Sequence, residues 1–273
     1  MTALADKKIG FIGAGNMASA LIGGLLKSYL VDKDAVIASD VDPERRGRVA
    51  YDFGVRSTAS NREVVDFADV VVLAVKPNKV IEVLDEVGAH LTSDHLLISI
   101  CAGVSTEFIE ARVADDVPVL RVMPNTPALV GAGMSAFCCG KHIDRERHCH
   151  VARAILTAVG EVIELEEKHF DAVTALSGSG PAYFYYLMEQ MEAAGLAEGL
   201  PPGVAEKLVK QTAFGAAKLA AESDASPRTL RGNVTSPGGT TEAALYLLRT
   251  HNVDQLIVRA VREAAKRSRE LGK

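Results

Sequence analysis

The stretch Gly13-Ala14-Gly15-Asn16-Met17-Ala18 has the spacing G-x-G-x-x-A and follows a short apolar run. Residue types in this order bring backbone N–H groups against the pyrophosphate of a dinucleotide. The first glycine permits a tight turn, the second removes a side chain that would block the phosphates, and the small Ala18 lets the following helix pack close to the strand. The positive end of that helix then faces the anion. Roughly 20 residues further on, Ser39 and Asp40 close a second apolar run, with Arg45, Arg46 and Arg48 close behind. An acidic residue there holds the ribose 2′-OH of NADH, whereas a basic one accommodates the 2′-phosphate of NADPH. Both signals are present, so both cofactors stay open, and Asp40 and Asp42 read equally well as caps of the next helix.

Further chemistry collects at the ends of later apolar runs. Ala74-Val75-Lys76-Pro77 closes a valine-rich run at its carboxyl end, where open α/β sheets bind ligands. Lys76 there reads either as a contact to ribose or substrate or as a solvated strand end. Cys101-Ala102-Gly103 ends the next run with small side chains that leave room for a nicotinamide ring. Met123-Pro124-Asn125-Thr126-Pro127 is a stiff loop with an amide and a hydroxyl held between prolines. In the second half, Ser177-Gly178-Ser179-Gly180-Pro181 and Thr235-Ser236-Pro237-Gly238-Gly239-Thr240-Thr241 each read as a glycine-serine turn at a helix N-terminus. Exposed N–H donors and hydroxyls in such a place suit a small carboxylate. Other residues read as scaffold. His148 and His150 lie two apart on a helix and face different ways, so no metal site is expected. Glu167 and Asp171 share one helix face as solvated carboxylates.

These groups need a frame. Runs at Ile9–Ile12, Val36–Ser39, Val70–Val75, Leu96–Cys101 and Val117–Val122 read as strands, and Asn16–Ser28 and Thr106–Ala114 as helices between them. Asp42 before Pro43 opens another helix that Gly54 ends in a left-handed conformation, and Ser60-x-x-Glu63 has capping-box spacing. Strands alternating with helices imply parallel pairing through right-handed crossovers, hence a doubly wound α/β sheet of Rossmann type. After about Leu165 strand runs cease. Helices are expected near 167–175, 181–197, 204–222, 241–249 and 254–270, and the charge-dense tail from Arg259 to Lys273 reads as a solvated helix face. The expected division is therefore a dinucleotide-binding domain over 1–164 and a helical domain over 165–273.

The 273 residues carry 35 acidic and 30 basic side chains, a formal charge of −5. Such mild acidity argues against a nucleic-acid partner. Glycines and Asn16 interrupt the uncharged stretch after Lys7 and Lys8, and prolines and glycines interrupt 122–140, which argues against a secretory leader or a membrane span. Cys101, Cys138, Cys139 and Cys149 contain no C-x-x-C pair, which fits a reducing cytoplasm rather than a zinc site or disulfide framework.

Taken together and in order, the segments 10–17, 74–77, 121–127, 176–183 and 233–241 resemble the pyrroline-5-carboxylate reductases, and the resemblance covers essentially the whole chain. It implies a Rossmann domain followed by an all-helical domain that pairs two chains by interleaving helices, with five dimers forming a decamer in some members. It implies NADPH- or NADH-dependent reduction of a cyclic imino acid, 1-pyrroline-5-carboxylate, to L-proline, the last step of proline biosynthesis. By this similarity the cofactor contacts are Gly13, Ala14, Gly15, Asn16, Met17, Asn61, Ala74, Val75, Lys76, Pro77, Cys101, Ala102 and Gly103, to which the end of the second apolar run adds Ser39 and Asp40 on its own reading. Glu167, Ser236, Gly238, Gly239, Thr240 and Thr241 fall at substrate positions, with Thr241 as the hydroxyl that reaches the ring nitrogen. Asp40 departs from members with a small hydroxyl residue for the 2′-phosphate. A β-hydroxyacid dehydrogenase or related imine reductase shares this plan but would want a lysine on the long helix, and none lies between Pro181 and Lys207. A non-catalytic dinucleotide-binding regulator is the alternative from another class.

Overall fold

A computed structural model describes residues 3–271; the end of the expected charge-dense tail, Gly272 and Lys273, lies outside them. The chain begins β1 (Ile9–Ile12), α1 (Asn16–Lys27), β2 (Val36–Ser39), α2 (Pro43–Phe53), β3 (Arg56–Thr58), α3 (Asn61–Phe67) and β4 (Val70–Leu73). It continues with α4 (Val80–Val87), β5 (Leu96–Ser99), α5 (Thr106–Glu110), β6 (Val119–Met123), β7 (Gly133–Cys139), α6 (Arg145–Thr157), β8 (Gly160–Glu164) and α7 (Phe170–Val173). Helices α8 (Gly180–Ala197), α9 (Pro202–Glu222), α10 (Pro227–Asn233), α11 (Thr240–Thr250) and α12 (Val253–Leu271) follow.

The eight strands form one sheet in the order β3-β2-β1-β4-β5-β6-β7-β8. β1 pairs in parallel with β2 on one side and β4 on the other, so the winding reverses between β1 and β4. A crevice must open at the carboxyl ends of those two strands, because their crossovers leave in opposite directions. Alternation along the strands explains the two layers of helices. Ile9, Phe11, Val36, Ala38, Val70 and Val72 face a core shared with Leu21, Ile22 and Leu25 of α1 and Ile155 of α6. The intervening Ile12, Ile37, Val71 and Leu73 face a second core with Val64 of α3, Val83 and Leu84 of α4, and Ile109 of α5.

The local signals act as their chemistry requires. The Asp42 side chain accepts the Glu44 N–H with Pro43 in the first turn, Gly54 ends α2 at φ 67°, and the Ser60 hydroxyl accepts the Glu63 N–H. The expected pure parallel sheet is extended by β7, which runs antiparallel to β6 and parallel to β8. These strands had weak sequence signals: β8 is a short edge with Glu161 and Glu164 breaking up its apolar residues, and β7 carries glycine, serine and two cysteines.

By its contacts the chain divides into one unit reaching to Ser179 and including the segment from Ala264, and a second unit, Gly180–Glu263. The first unit runs past the expected boundary at residue 164 because the segment after β8 is pinned onto the sheet. Glu167 accepts the Thr106 N–H at 2.9 Å and the Thr106 hydroxyl at 2.6 Å, and Arg121 donates to it at 2.8 Å. The buried Arg121 guanidinium also lies over the Phe170 ring, 4.7 Å from its centroid. The expected open turn at Ser177–Pro181 is corrected by the same packing. Residues Thr174–Gly178 form a π-helical turn that follows α7, closed by the Ser179 N–H donating to the Thr174 carbonyl at 2.8 Å. Asn125 donates to the Ser177 carbonyl at 3.2 Å, and a Cβ on Gly178 would lie 2.4 Å from Met123 Cε. The Met123–Pro127 loop therefore seats itself against that turn, which is helical rather than open.

In the second unit only Gly180, Ala205 and Val209 are buried, while Phe184, Tyr186, Phe214, Tyr246 and Ile257 stand at least half exposed. Helices α8 to α11 and the first part of α12, with so little internal core, require another surface to cover them.

Two outcomes follow for stability. Gly160 has φ 149°, and a Cβ there would meet the Gly133 carbonyl oxygen at 2.0 Å; Gly160→Ala should lose at least ~2 kcal/mol in urea denaturation, and a loss under ~0.5 kcal/mol would refute the close approach of β7 and β8. Burial alone would raise the Glu167 pKa, but the Thr106 and Arg121 hydrogen bonds outweigh it and hold the carboxyl below its ordinary 4.5. A carboxyl depressed in the folded state contributes stability above its unfolded pKa, and the contribution disappears as pH falls through the folded value. The stability gap between wild type and Glu167→Gln should therefore be full at neutral pH and shrink below about pH 4; a gap independent of pH would remove the charged pin.

Candidate active site

A cavity of about 980 Å³ opens at the carboxyl edge of the sheet, lined from the ends of β1, β2, β4 and β5. Gly13, Ala14, Gly15, Asn16 and Met17 form its floor. Gly13 holds φ 101°, and a Cβ there would sit 2.6 Å from the Ala74 carbonyl oxygen, so the turn leaving β1 passes directly against the exit of β4. Gly15 is the opposite case. Its backbone is extended, and a Cβ built there meets nothing within 4 Å, so its missing side chain leaves open space above the turn. Ala18 is buried against the strand. Helix α1 starts at Gly15 with no side-chain cap and no acidic residue in its first turn. Its leading N–H groups and positive dipole end are thus left for an anion, and the space over Gly15 fits a pyrophosphate.

The end of β2 supplies the next wall. Asp40 lines the cavity with its carboxylate held at both ends, one oxygen accepting the Ala14 N–H and the other the Asp42 N–H, each at 2.9 Å. Ser39 lies behind this wall, fully buried. Its hydroxyl donates to the Asn61 side-chain oxygen at 2.7 Å, and the Asn61 amide donates in turn to Glu86 at 2.7 Å. Asn61 and Glu86 both line the cavity, with Asn61 fixed from either side and Ser39 acting through it. Sequence reasoning missed Glu86 because it sits in an ordinary amphipathic helix, α4, with no motif around it.

Beyond β4, Ala74, Val75, Lys76 and Pro77 all line the cavity. Cys101 and Ala102 line it at the end of β5, while Gly103 turns away at φ 77°. The Cys101 thiol points to the Leu73 and Val75 carbonyls at 3.4 and 3.2 Å. Burial pushes its pKa up to about 11, so it is a neutral packing group rather than a nucleophile.

Glu167 is not among the cavity-lining residues; both its oxygens are taken by Thr106 and Arg121. The remaining expected site residues belong to the second unit, at the start of α11. Gly239 is the N-cap with Thr240 and Thr241 in the first turn, and no side chain caps them. Gly238 holds φ 70° and its N–H donates to Glu242 at 2.7 Å, while the Gly239 N–H donates to the Ser236 carbonyl at 3.0 Å. Glu242 thus clamps the loop from the third helical position, in the manner of a capping box. Its signal was hidden because a glycine stands at the cap. His148 accepts the Asp144 N–H at 3.1 Å as part of the start of α6. Among the described residues no group of His, Cys, Asp and Glu is arranged to hold a metal, and no helix is long and apolar enough to cross a membrane.

Two family models match the chain. Residues 8–103 match the NADP oxidoreductase, coenzyme F420-dependent family, and residues 167–271 match the pyrroline-5-carboxylate reductase dimerisation family. The second description accounts for the uncovered apolar helices: they form a dimer. The pyrroline-5-carboxylate reductase of Pseudomonas aeruginosa is 42% identical over 98% of both chains. Among solved structures, the pyrroline-5-carboxylate reductase of Coxiella burnetii has a TM-score of 0.90 at 38% identity, covering 98% of this chain and 99% of that one. The Plasmodium falciparum pyrroline carboxylate reductase, solved with NADP bound, has a TM-score of 0.88 at 32% identity over the same shares. An open crevice over a glycine-rich turn at the switch point of the sheet, a helical unit that matches the dimerisation model, and relatives alike over nearly their full length converge on one assignment: the chain belongs to the pyrroline-5-carboxylate reductase family.

Proposed function

We propose that this chain reduces 1-pyrroline-5-carboxylate to L-proline with NADPH or NADH, completing proline biosynthesis as a cytoplasmic homodimer or a decamer of five dimers. The observation that carries the reading is the open space above Gly15 at an uncapped helix start, in a cavity of about 980 Å³ large enough for a dinucleotide. The bound cofactor supplies the hydride. Gly13 to Met17 hold its pyrophosphate, Asp40 and the Asn61 amide face the adenosine ribose, and Ala74 to Pro77 with Cys101 and Ala102 line the path toward the nicotinamide. Ser39 and Gly103 support that wall from behind.

The corner at Ser236 to Thr241 binds the substrate. Its carboxylate takes the N–H donors opening α11, with Ser236, Gly238, Gly239 and Thr240 shaping the loop, and Glu242 keeps that loop in place. Thr241 orients the ring nitrogen. An iminium that arrives protonated needs no strong acid, since hydride adds to carbon, the C=N π electrons pass to nitrogen, and the proton stays on that nitrogen. Placement rather than acid–base chemistry is what the chain contributes. Glu167 acts at one remove, fixing the loop that follows Cys101 to Gly103 through Thr106.

One direct test separates this reading from a hydroxyacid dehydrogenase and from a non-catalytic regulator. The purified chain should oxidise reduced cofactor in an imine-dependent manner, and turnover of a hydroxyacid alone, or binding without turnover, would overturn the assignment. Thr241→Val should lower kcat/KM for the imine roughly tenfold to a hundredfold, the range set by one lost hydrogen bond, while leaving cofactor Kd unchanged. An unchanged kcat/KM refutes the role given to Thr241.

A further inference from the structure

We infer that Asp40, locked between two backbone donors, makes this chain select NADH over NADPH. The inference rests on the cavity being the dinucleotide site and commits where the residue types alone leave both cofactors open. A specificity carboxylate must stay in place when the ligand arrives. The Asp40 side chain is 7% exposed, and its two oxygens accept the Ala14 and Asp42 N–H groups at 2.9 Å. Because the Ala14 N–H belongs to the pyrophosphate turn itself, the carboxylate is fixed beside the cradle, at the end of the strand adjoining β1. Adjacent strands lie about 4.8 Å apart, so the carboxylate stands one strand over from the turn, on the side where the ribose follows the pyrophosphate. Each oxygen keeps acceptor capacity for a 2′-OH.

The cations that would welcome a 2′-phosphate are mostly committed. Arg45 stands between Asp40 and Asp42, at 3.7 and 3.6 Å from their carboxylates. Arg46 turns away to donate to the backbone carbonyls of Asp40 and Val41 at 2.7 and 3.1 Å. Lys79 is paired with Glu82 at 2.7 Å. Among the described lining residues, only Arg48 and Lys76 have no acidic partner, and Lys76 follows β4, two strands away from β2. A 2′-phosphate, bringing a charge of about −1.5 to −2, would face a fixed carboxylate with a single uncommitted guanidinium to offset it. A 2′-OH meets an acceptor instead.

The test is equilibrium binding of NADH and of NADPH to the full-length protein without imine, followed by nicotinamide fluorescence. Wild type is expected to bind NADH at least tenfold more tightly, and Asp40→Ser to bring the two Kd values together or reverse them. The more conservative Asp40→Asn should shift the ratio in the same direction. Equal or tighter binding of NADPH by wild type, or a ratio unmoved in both folded variants, overturns the inference while leaving the dinucleotide site intact. Failure to bind either nucleotide would sink the site assignment itself and this inference with it.

Discussion

The contact on which the rest of the molecule turns is the passage of the first turn over the exit of β4, where Gly13 has no room for a side chain against the Ala74 carbonyl. Strand order reverses between β1 and β4, so the crevice is a consequence of topology, but its depth is set by how closely these two backbones approach. A side chain at Gly13 would lift the turn, and with it the Ala14 N–H that anchors Asp40 and the Gly15 backbone that faces the open cavity. The same approach is made at sequence positions with little side chain: Gly13, Ala14 and Gly15 on one side, Ala74 on the other. Small residues here are a steric requirement of the cavity rather than a flexible hinge.

A second constraint governs the far side of the sheet. Arg121 ends up buried on β6, and a buried guanidinium is tolerated only when its hydrogen bonds are made. Glu167 and the Phe170 ring satisfy it, and Glu167 spends its other bonds on Thr106. One ion pair therefore joins β6, the loop leading into α5, and the segment after β8. The neighbouring π turn extends the link, since its widened backbone leaves the Ser177 carbonyl to Asn125, whose own oxygen accepts the Met134 N–H at 2.8 Å. Two motifs far apart in the chain are one packed unit, and the governing quantity is hydrogen-bond satisfaction around a buried guanidinium.

Much of this could be read from residue order, and the failures have definite causes. The five strands of the parallel core were legible because both faces are buried and the runs are continuously apolar. Asp42-Pro43, Gly54 and Ser60 marked helix ends because capping is local. β7 and β8 were not, since a short edge strand with a glutamate near each end resembles a loop. The serine-glycine stretch at residue 177 reads as an open turn because glycine and serine favour turns. Tertiary contact with Met123 and Asn125 overrode that preference. Glu86 and Glu242 escaped because each acts on another residue's orientation, a role that carries no composition signal. The cavity wall at Asp40 was visible, but its rigidity, which decides what the carboxylate does, lies in backbone donors that no side-chain pattern reveals.

The helical unit makes the opposite use of the same forces. Its helices leave Phe184, Tyr186, Phe214 and Tyr246 exposed in the single chain, an arrangement that persists only if burial is deferred to association. Pairing then does what a core does elsewhere: it supplies the apolar contact that orders α8 to α11. The consequence reaches the corner at Gly239. Glu242 can clamp Gly238, and Ser236 can receive the Gly239 N–H, only while the first turn of α11 is formed, and an isolated 11-residue helix is marginal in water. Order in the proposed carboxylate corner is therefore inherited from the dimer, so that association and substrate recognition draw on one set of buried side chains.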